Sequence, residues 1–273
     1  MKKINYLSLF IVLSFVITMF SCQDSTNSLD DQPPELPPVE SMNMEFSNFD
    51  ESVDSGNSEL NAENETYSHF TNAAIRAMVM KGIVSTNLAI PKALIAAAEN
   101  SDPELTDDGE WTWSYASDAS GDNFEVRLHA SEGSDGRINW QMFVTNSGLD
   151  LDDVLLFEGD VNQDGTEGTW IYYALFGDES GNAVSQIDWE IENEEQTELR
   201  LEVLSDRNGH AGDSIDYRFD APVKRAEYYN AGDDLRTEIE WNIETKEGYL
   251  VSPNYNNGEQ ACWNGDFQDV ECG

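Results

Sequence analysis

The sequence predicts a mainly β (α+β) protein: an antiparallel meander of about eleven strands forming a barrel, half-barrel or curled sheet, packed with one or two N-terminal apolar helices. Three observations carry this expectation. From residue 109 onward, apolar and polar residues alternate in short runs, the pattern of strands with one face on a core and the other in water. Glycine beside Asn, Asp or Ser separates the runs, as at Gly121, Gly136, Gly165, Gly181, Gly209 and Gly232, supplying the positive φ of tight hairpins. Between residues 64 and 100 the alternation gives way to an alanine-rich apolar stretch with little β-branching.

Taken in order, residues 1–21 read as a signal peptide, because Lys2 and Lys3 precede an apolar run over 6–20 that ends at the small residue Ser21. That run, about 15 residues, is short for a membrane span. Cys22 follows at once. The arrangement resembles the lipobox of bacterial lipoproteins, in which this cysteine becomes the lipidated N-terminus. Met19 and Phe20 depart from its commonest form, which favours Leu followed by Ser, Ala or Thr, and plain secretion with a chance cysteine is the alternative. The resemblance implies acylation, as with palmitate, at Cys22. Gln23 stands where an Asp would signal retention in the inner membrane, which implies an outer-membrane address in the cell envelope. Acylation at one end leaves the rest of the chain soluble and tethered, so the lipid is the expected membrane contact.

Residues 22–63 read as an acidic tether: no Lys or Arg occurs, and Pro33, Pro34, Pro37 and Pro38 favour extended chain. Within it, Met42, Met44 and Phe46 alternate enough for a short strand or a docked segment. Residues 64–273 are assigned to one globular domain, helical over 64–100 and β-meander over 109–273. Pro91 suits the first turn of a second helix. Apolar residues cover nearly the whole helical circumference, which predicts burial, while Arg76, Lys81, Lys92 and Pro91 argue against a spanning helix.

The strand runs lie at residues 111–115, 124–128, 138–144, 154–157, 170–176, 187–191, 199–203, 215–219, 228–229, 239–243 and 249–251. Trp140, Trp189 and Trp241 each sit between two aliphatics, which suits a recurring core position, with a row of binding tryptophans as the other reading. A membrane barrel needs an apolar outer face. Here the outer positions hold Glu198, Arg200 and Glu202, which suit water. Cys262 and Cys272 form an isolated pair that reads as a disulfide in an exported chain, closing a loop around Trp263 and Phe267. No His lies in that segment to make it a metal site.

The composition bounds the partners. With 54 acidic and 14 basic residues the chain carries a formal charge of −40, which repels nucleic acid and anionic lipid headgroups. Most of this acidity reads as solvated surface. Asp160, Asn162 and Asp164, followed by Gly165, resemble the start of an EF-hand or dockerin calcium loop. The acid that such a loop needs at its end is replaced by Ile171, so they form a weak calcium candidate and no cofactor is expected. Gln186, Asp188 and Glu190 resemble the acidic strand of jelly-roll glycosidases, but Gln186 occupies the nucleophile's place and cannot form a glycosyl ester. His69, His129 and His210 accompany no nucleophile elbow or phosphate loop.

Signal, acidic Pro-rich tether, apolar helical pair and Trp-rich meander together resemble Trp-rich β-meander lipoproteins of the outer membrane. That resemblance implies an address rather than a reaction. The expectation is a non-enzymatic binding or scaffold protein that holds an apolar small ligand or a protein partner. The alternatives are a carbohydrate-binding module or an exported glycoside hydrolase.

Overall fold

The structure, a computed structural model, describes residues 32–49, 66–205 and 209–273. The leader, Cys22, most of the tether outside 32–49, and Asn208 of one predicted turn lie outside the described residues. One helix, α1 (Ser68–Ala98), precedes fourteen antiparallel strands that form a single sheet in chain order. The first five are β1 (Glu104–Leu105), β2 (Trp111–Ala119), β3 (Asp122–Glu132), β4 (Ile138–Asn146) and β5 (Leu151–Val161). Next come β6 (Glu167–Tyr173), β7 (Ala183–Asn193), β8 (Gln196–Val203), β9 (Ser214–Asp220) and β10 (Val223–Asn230). The last four are β11 (Leu235–Asn242), β12 (Gly248–Val251), β13 (Ala261–Trp263) and β14 (Asp269–Val270).

The eleven predicted runs correspond to β2–β12. The three strands without a counterpart are two or three residues long and sit at the sheet edges, too short for any alternation to show. The sheet is not closed into a barrel, because β1 and β14 end it without pairing. Instead α1 packs against β2 near one edge and against β12, β13 and β14 at the other, so the helix bridges the two ends of an open sheet.

A second helix starting at Pro91 does not occur; Pro91 lies inside α1. A proline in a helix interior forfeits one hydrogen bond and clashes with the preceding turn, costing about 3 kcal/mol. The helix continues because Leu88, Pro91, Leu94 and Ile95 are all buried on one side, and tertiary packing outweighs local preference. The helix start likewise owes little to its own residues. Tyr67 at the cap position offers no side-chain bond. Asp269 of β14 does the capping: it accepts hydrogen bonds from Ser68 Oγ (2.6 Å) and the His69 amide (2.8 Å). A carboxylate there satisfies a free amide and complements the helix dipole.

The core is built from inward positions of the strands. On β4 these are Ile138, Trp140, Met142 and Val144; on β7 they are Ser185, Ile187 and Trp189. Tryptophans fit because glycines stand directly across from them. Gly159 pairs with Trp170, Gly168 with Trp189 and Gly248 with Trp263. A Cβ at these glycines would lie 2.6, 2.7 and 2.4 Å from the respective indole rings. Each ring therefore covers its neighbour strand's backbone, the cross-strand aromatic packing that stabilises a glycine in a sheet.

The remaining interior is filled by residues 36–49, which the sequence reading places in the tether. The segment forms 3-10 turns at Val39–Met42 and Ser47–Phe49. Met42, Met44, Phe46 and Phe49 are all buried. Phe49 stacks on Phe70 at 5.7 Å and meets Trp241 edge-on at 5.0 Å, while Phe46 stacks on Trp241 at 6.0 Å. Trp170 Nε1 donates to the buried Ser41 Oγ at 3.0 Å. Of the two expectations for Met42–Phe49, the docked segment is the one observed.

Candidate functional site

A stripe along α1 is left uncovered by the sheet. Val79, Gly82, Ile83, Thr86 and Ile90 follow helical spacing and face the chain between the end of β6 and the end of β8. Between them lies a cleft of about 780 Å³. Leu156, Tyr172, Ala174, Leu175 and Val203 form its deep part and are buried. Met78 (41 % exposed), Val79 (47 %) and Phe176 (36 %) form an apolar rim. The helix is therefore not buried all round as its composition predicts. Its most exposed apolar side chains cluster where the cleft opens, with Ile75 one turn away.

The loop between β6 and β7 shapes the opposite wall. Ala174 and Phe176, which continue the alternation of β6 in sequence, have left the sheet, and backbone bonds from Ala174 N to Asn182 O (2.9 Å) and from Gly181 N to Ala174 O (2.8 Å) close the loop. Among the described residues, those lining the cleft include no Asp, Glu, Lys or Arg. In a chain of net charge −40, this described lining differs in character from the rest of the surface.

Beneath the cleft lie two buried hydroxyls, one on Tyr172 of its lining and one on Ser185, an inward residue of β7. Tyr172 and Ser185 are direct cross-strand partners on β6 and β7. Both are buried, and neither hydroxyl has a hydrogen-bond partner among the described residues. Ser185 also stands opposite Val203 of β8, so both of its neighbours line the cleft. Burial pushes the Tyr172 phenol well above its ordinary pKa, which keeps it a neutral donor. The adjacent Tyr173, also in the lining, donates to Glu158 at 2.5 Å; burial first and that carboxylate second push its pKa up to about 12.

At the rim, His210 Nδ1 lies 2.8 Å from Asp213 Oδ2. Asp213 is itself buried and also accepts from Tyr228 Oη and from the Ala231 amide at 2.8 Å. These bonds tie the β8–β9 and β10–β11 turns together, a structural job for a carboxylate. Ser205, also on the rim, donates to Glu179 at 2.5 Å. Neither arrangement prepares a nucleophile.

The residues singled out from sequence fall elsewhere. Cys262 and Cys272 are joined by a disulfide with Cα atoms 5.3 Å apart. Inside its loop Trp263 is buried and Phe267 stacks on Phe70 at 4.1 Å. In the calcium candidate, Asp160 pairs with Arg137 through Oδ2, and Asn162 Oδ1 accepts the Thr166 amide at 2.8 Å. Asp164 lies in the hairpin turn between β5 and β6, and no cluster of three or more His, Cys, Asp or Glu able to hold a metal occurs among the described residues. Asp188 is on the outer face, accepting from Thr169 Oγ1 (2.9 Å) and from Gln186 (3.1 Å). His69 contacts Tyr255 Oη (2.8 Å) and His129 contacts Thr112 Oγ1 (3.0 Å); burial first and Arg127 second hold the His129 pKa below its usual value. Trp140, Trp189 and Trp241 are buried, and Trp111 packs partly buried against the core.

A second depression of about 560 Å³ lies on the outer face over β6–β10. Its arginines are already matched to acids: Arg200 to Asp216 at 2.7 Å, Arg218 to Glu198 at 3.1 Å and Arg225 to Glu238 at 2.7 Å. These exposed pairs are a solvated surface rather than a receptor.

Gly82 is a cleft residue that the sequence reading does not single out, and a glycine in the middle of an otherwise good helix is its signal. Comparison with known proteins found no matching family model, no similar curated protein and no similar solved structure.

Proposed function

We propose that this chain is a non-enzymatic binding protein of the cell envelope, anchored by lipid at Cys22, whose open sheet and helix form a half-barrel that holds an apolar small molecule. The observation that carries the binding reading is the cleft of about 780 Å³ whose described lining holds no Asp, Glu, Lys or Arg, on a molecule of net charge −40. Its size is that of small-molecule sites, and its lining combines apolar walls with few polar groups. The glycan alternative is less well supported, because Trp140, Trp189 and Trp241, the row a sugar platform would use, are inside the core. The hydrolase alternative is less well supported, because Gln186 stands in the nucleophile's place and Asp188 is engaged with Gln186 and Thr169 on the outer face.

Two experiments test the two halves of this proposal. For binding, the fluorescent apolar probe N-phenyl-1-naphthylamine is titrated against the chain carrying Cys22→Ser and against the same chain with Gly82→Trp. No atom lies within 4 Å of a Cβ built at Gly82, so a side chain can start there without a clash, and the bulk of an indole is expected to obstruct the cleft. Saturable binding that Gly82→Trp abolishes is expected; equal binding by both refutes the cleft as the site. For anchoring, radiolabelled palmitate should label the natural chain and not Cys22→Ser, and equal labelling refutes the anchor.

A further inference from the structure

We infer that the exposed face of α1 docks on a lipid surface with neutral or zwitterionic headgroups, where Ile75, Met78 and Val79 of the helix and Phe176 of the β6–β7 loop enter the outer layer. The choice of a bilayer as partner rests on the anchor at Cys22 proposed above. The docking adds a second contact to that anchor, made by the folded domain itself.

The first support is where apolar surface is left in water. Among the described residues seven large hydrophobic side chains are exposed, and four of them are Ile75, Met78, Val79 and Phe176. The three on α1 stand at i, i+3 and i+4, which places them on one face of the helix. Phe176 joins Met78 and Val79 at the rim of the cleft. Single exposed apolar residues are ordinary, whereas a group of them marks an interaction surface.

The second support is charge. The chain holds 54 acidic residues, yet α1 contains no Asp or Glu over its 31 residues and carries Arg76, Lys81 and Lys92. Lys81 is exposed and lies three residues from Met78. An apolar face bordered by basic side chains suits a membrane interface, because a long basic side chain lays its stem on apolar surface and keeps its charge among the headgroups. The acidity of the rest of the chain selects the lipid: an anionic bilayer repels it, and a neutral or zwitterionic one does not. The same repulsion opposes a second copy of the chain as the occupant.

The third support is reach. Ten residues separate Cys22 from Gln32, where the described residues begin, and ten residues span at most about 35 Å. Burial of Met42, Met44, Phe46 and Phe49 in the core takes that stretch out of the tether. Tethering over so short a span raises the effective concentration of a neighbouring surface to about millimolar, so a face of four side chains needs little affinity of its own. Because this face borders the mouth of the cleft, an apolar molecule dissolved in the bilayer would enter without crossing water.

Co-flotation with phosphatidylcholine vesicles tests the docking on the mature chain, residues 22–273, carrying Cys22→Ser and therefore no lipid. The chain is expected to float with the vesicles, and admixture of phosphatidylglycerol should weaken the partition. Met78→Gln combined with Phe176→Gln should lower it about a hundredfold, at about tenfold for each side chain kept out of the lipid. Leu105→Gln on β1, at a similarly exposed apolar position, should leave it unchanged. For docking too weak to hold an untethered chain, the mature chain carrying Phe176→Trp is coupled through Cys22 to a maleimide lipid, and brominated phosphatidylcholine should quench the new indole. Absence of that quenching, or equal partition of the parent and the double variant, overturns the inference. Self-association that the double variant abolishes, in place of vesicle binding, assigns the face to a second copy and overturns it as well. Palmitate labelling reads the anchor separately: its failure removes the anchor while flotation still decides the docking, and its success beside absent docking leaves the anchor intact.

Discussion

Phe49→Ala asks whether the segment ahead of the helix is part of the folded domain. Phe49 is 1 % exposed, with its ring against Phe70 at 5.7 Å and Trp241 at 5.0 Å. Truncating a buried phenylalanine to alanine costs about 3–5 kcal/mol through lost transfer energy and the cavity left behind. Each aromatic pair adds about 0.5–1.5 kcal/mol beyond area, which places the expected loss near the top of that range, at about 4–5 kcal/mol. For a domain of this size that corresponds to a melting temperature lower by about 8–20 °C. Urea unfolding followed by tryptophan fluorescence reads it directly, because Trp241 is a contact partner. Glu40→Ala, at an exposed position of the same segment, serves as control and should change stability by less than about 0.5 kcal/mol. A loss below about 1 kcal/mol for Phe49→Ala would refute the docking, since no well-packed core phenylalanine is that cheap to remove.

Three further outcomes follow from the packing and the titratable groups. Gly168→Ala should destabilise by about 1–3 kcal/mol in the same urea assay, because its Cβ would sit 2.7 Å from the Trp189 ring and 2.6 Å from a backbone oxygen; a neutral result would show that the strand yields there. Asp269→Ala should cost about 0.5–2 kcal/mol by stripping α1 of its cap, with the first helical amides exchanging faster in hydrogen-exchange measurements. Stability should hold up to about pH 10 and fall above it, because burial raises the phenols of Tyr115, Tyr172 and Tyr217 above the unfolded value of about 10. Above that pH the unfolded chain releases protons that the folded chain retains, which favours unfolding. Spectrophotometric titration that ionises all ten tyrosines near the ordinary value without unfolding would contradict this.

The sheet was legible because period-two alternation is a direct image of a face on a core. Ile138, Trp140 and Met142 are inward as the pattern demands, and Gln141 is outward. What escaped reading depended on contacts between residues far apart in the chain. Pro91 looks like a helix start until the packing of Leu88 and Leu94 around it is known. The α1 cap comes from Asp269, 201 residues from Ser68. The Trp–Gly pairs cannot be seen without the register, since Gly168 and Trp189 are opposed only once the β6–β7 loop length is fixed. The cleft was least legible of all: its walls come from one helix face, several strands and the turns between them, and each of those residues is unremarkable alone.

The bridging of the sheet's two ends by α1 sets an order of events for the growing chain. The helix is made early, but half of its cover, including Leu250, Trp263 and Phe267, arrives only with the last strands. Hairpins from β2 onward can zip up one after another as they appear, each using its neighbour. The helix must wait, its apolar side uncovered, until β12–β14 close over it and Asp269 reaches Ser68. A chain halted before residue 261 would thus carry a sheet lacking its last two strands around a greasy, unlatched rod. Holding factors and proteases recognise that kind of surface, so the fold sorts truncated products from full ones at its last step.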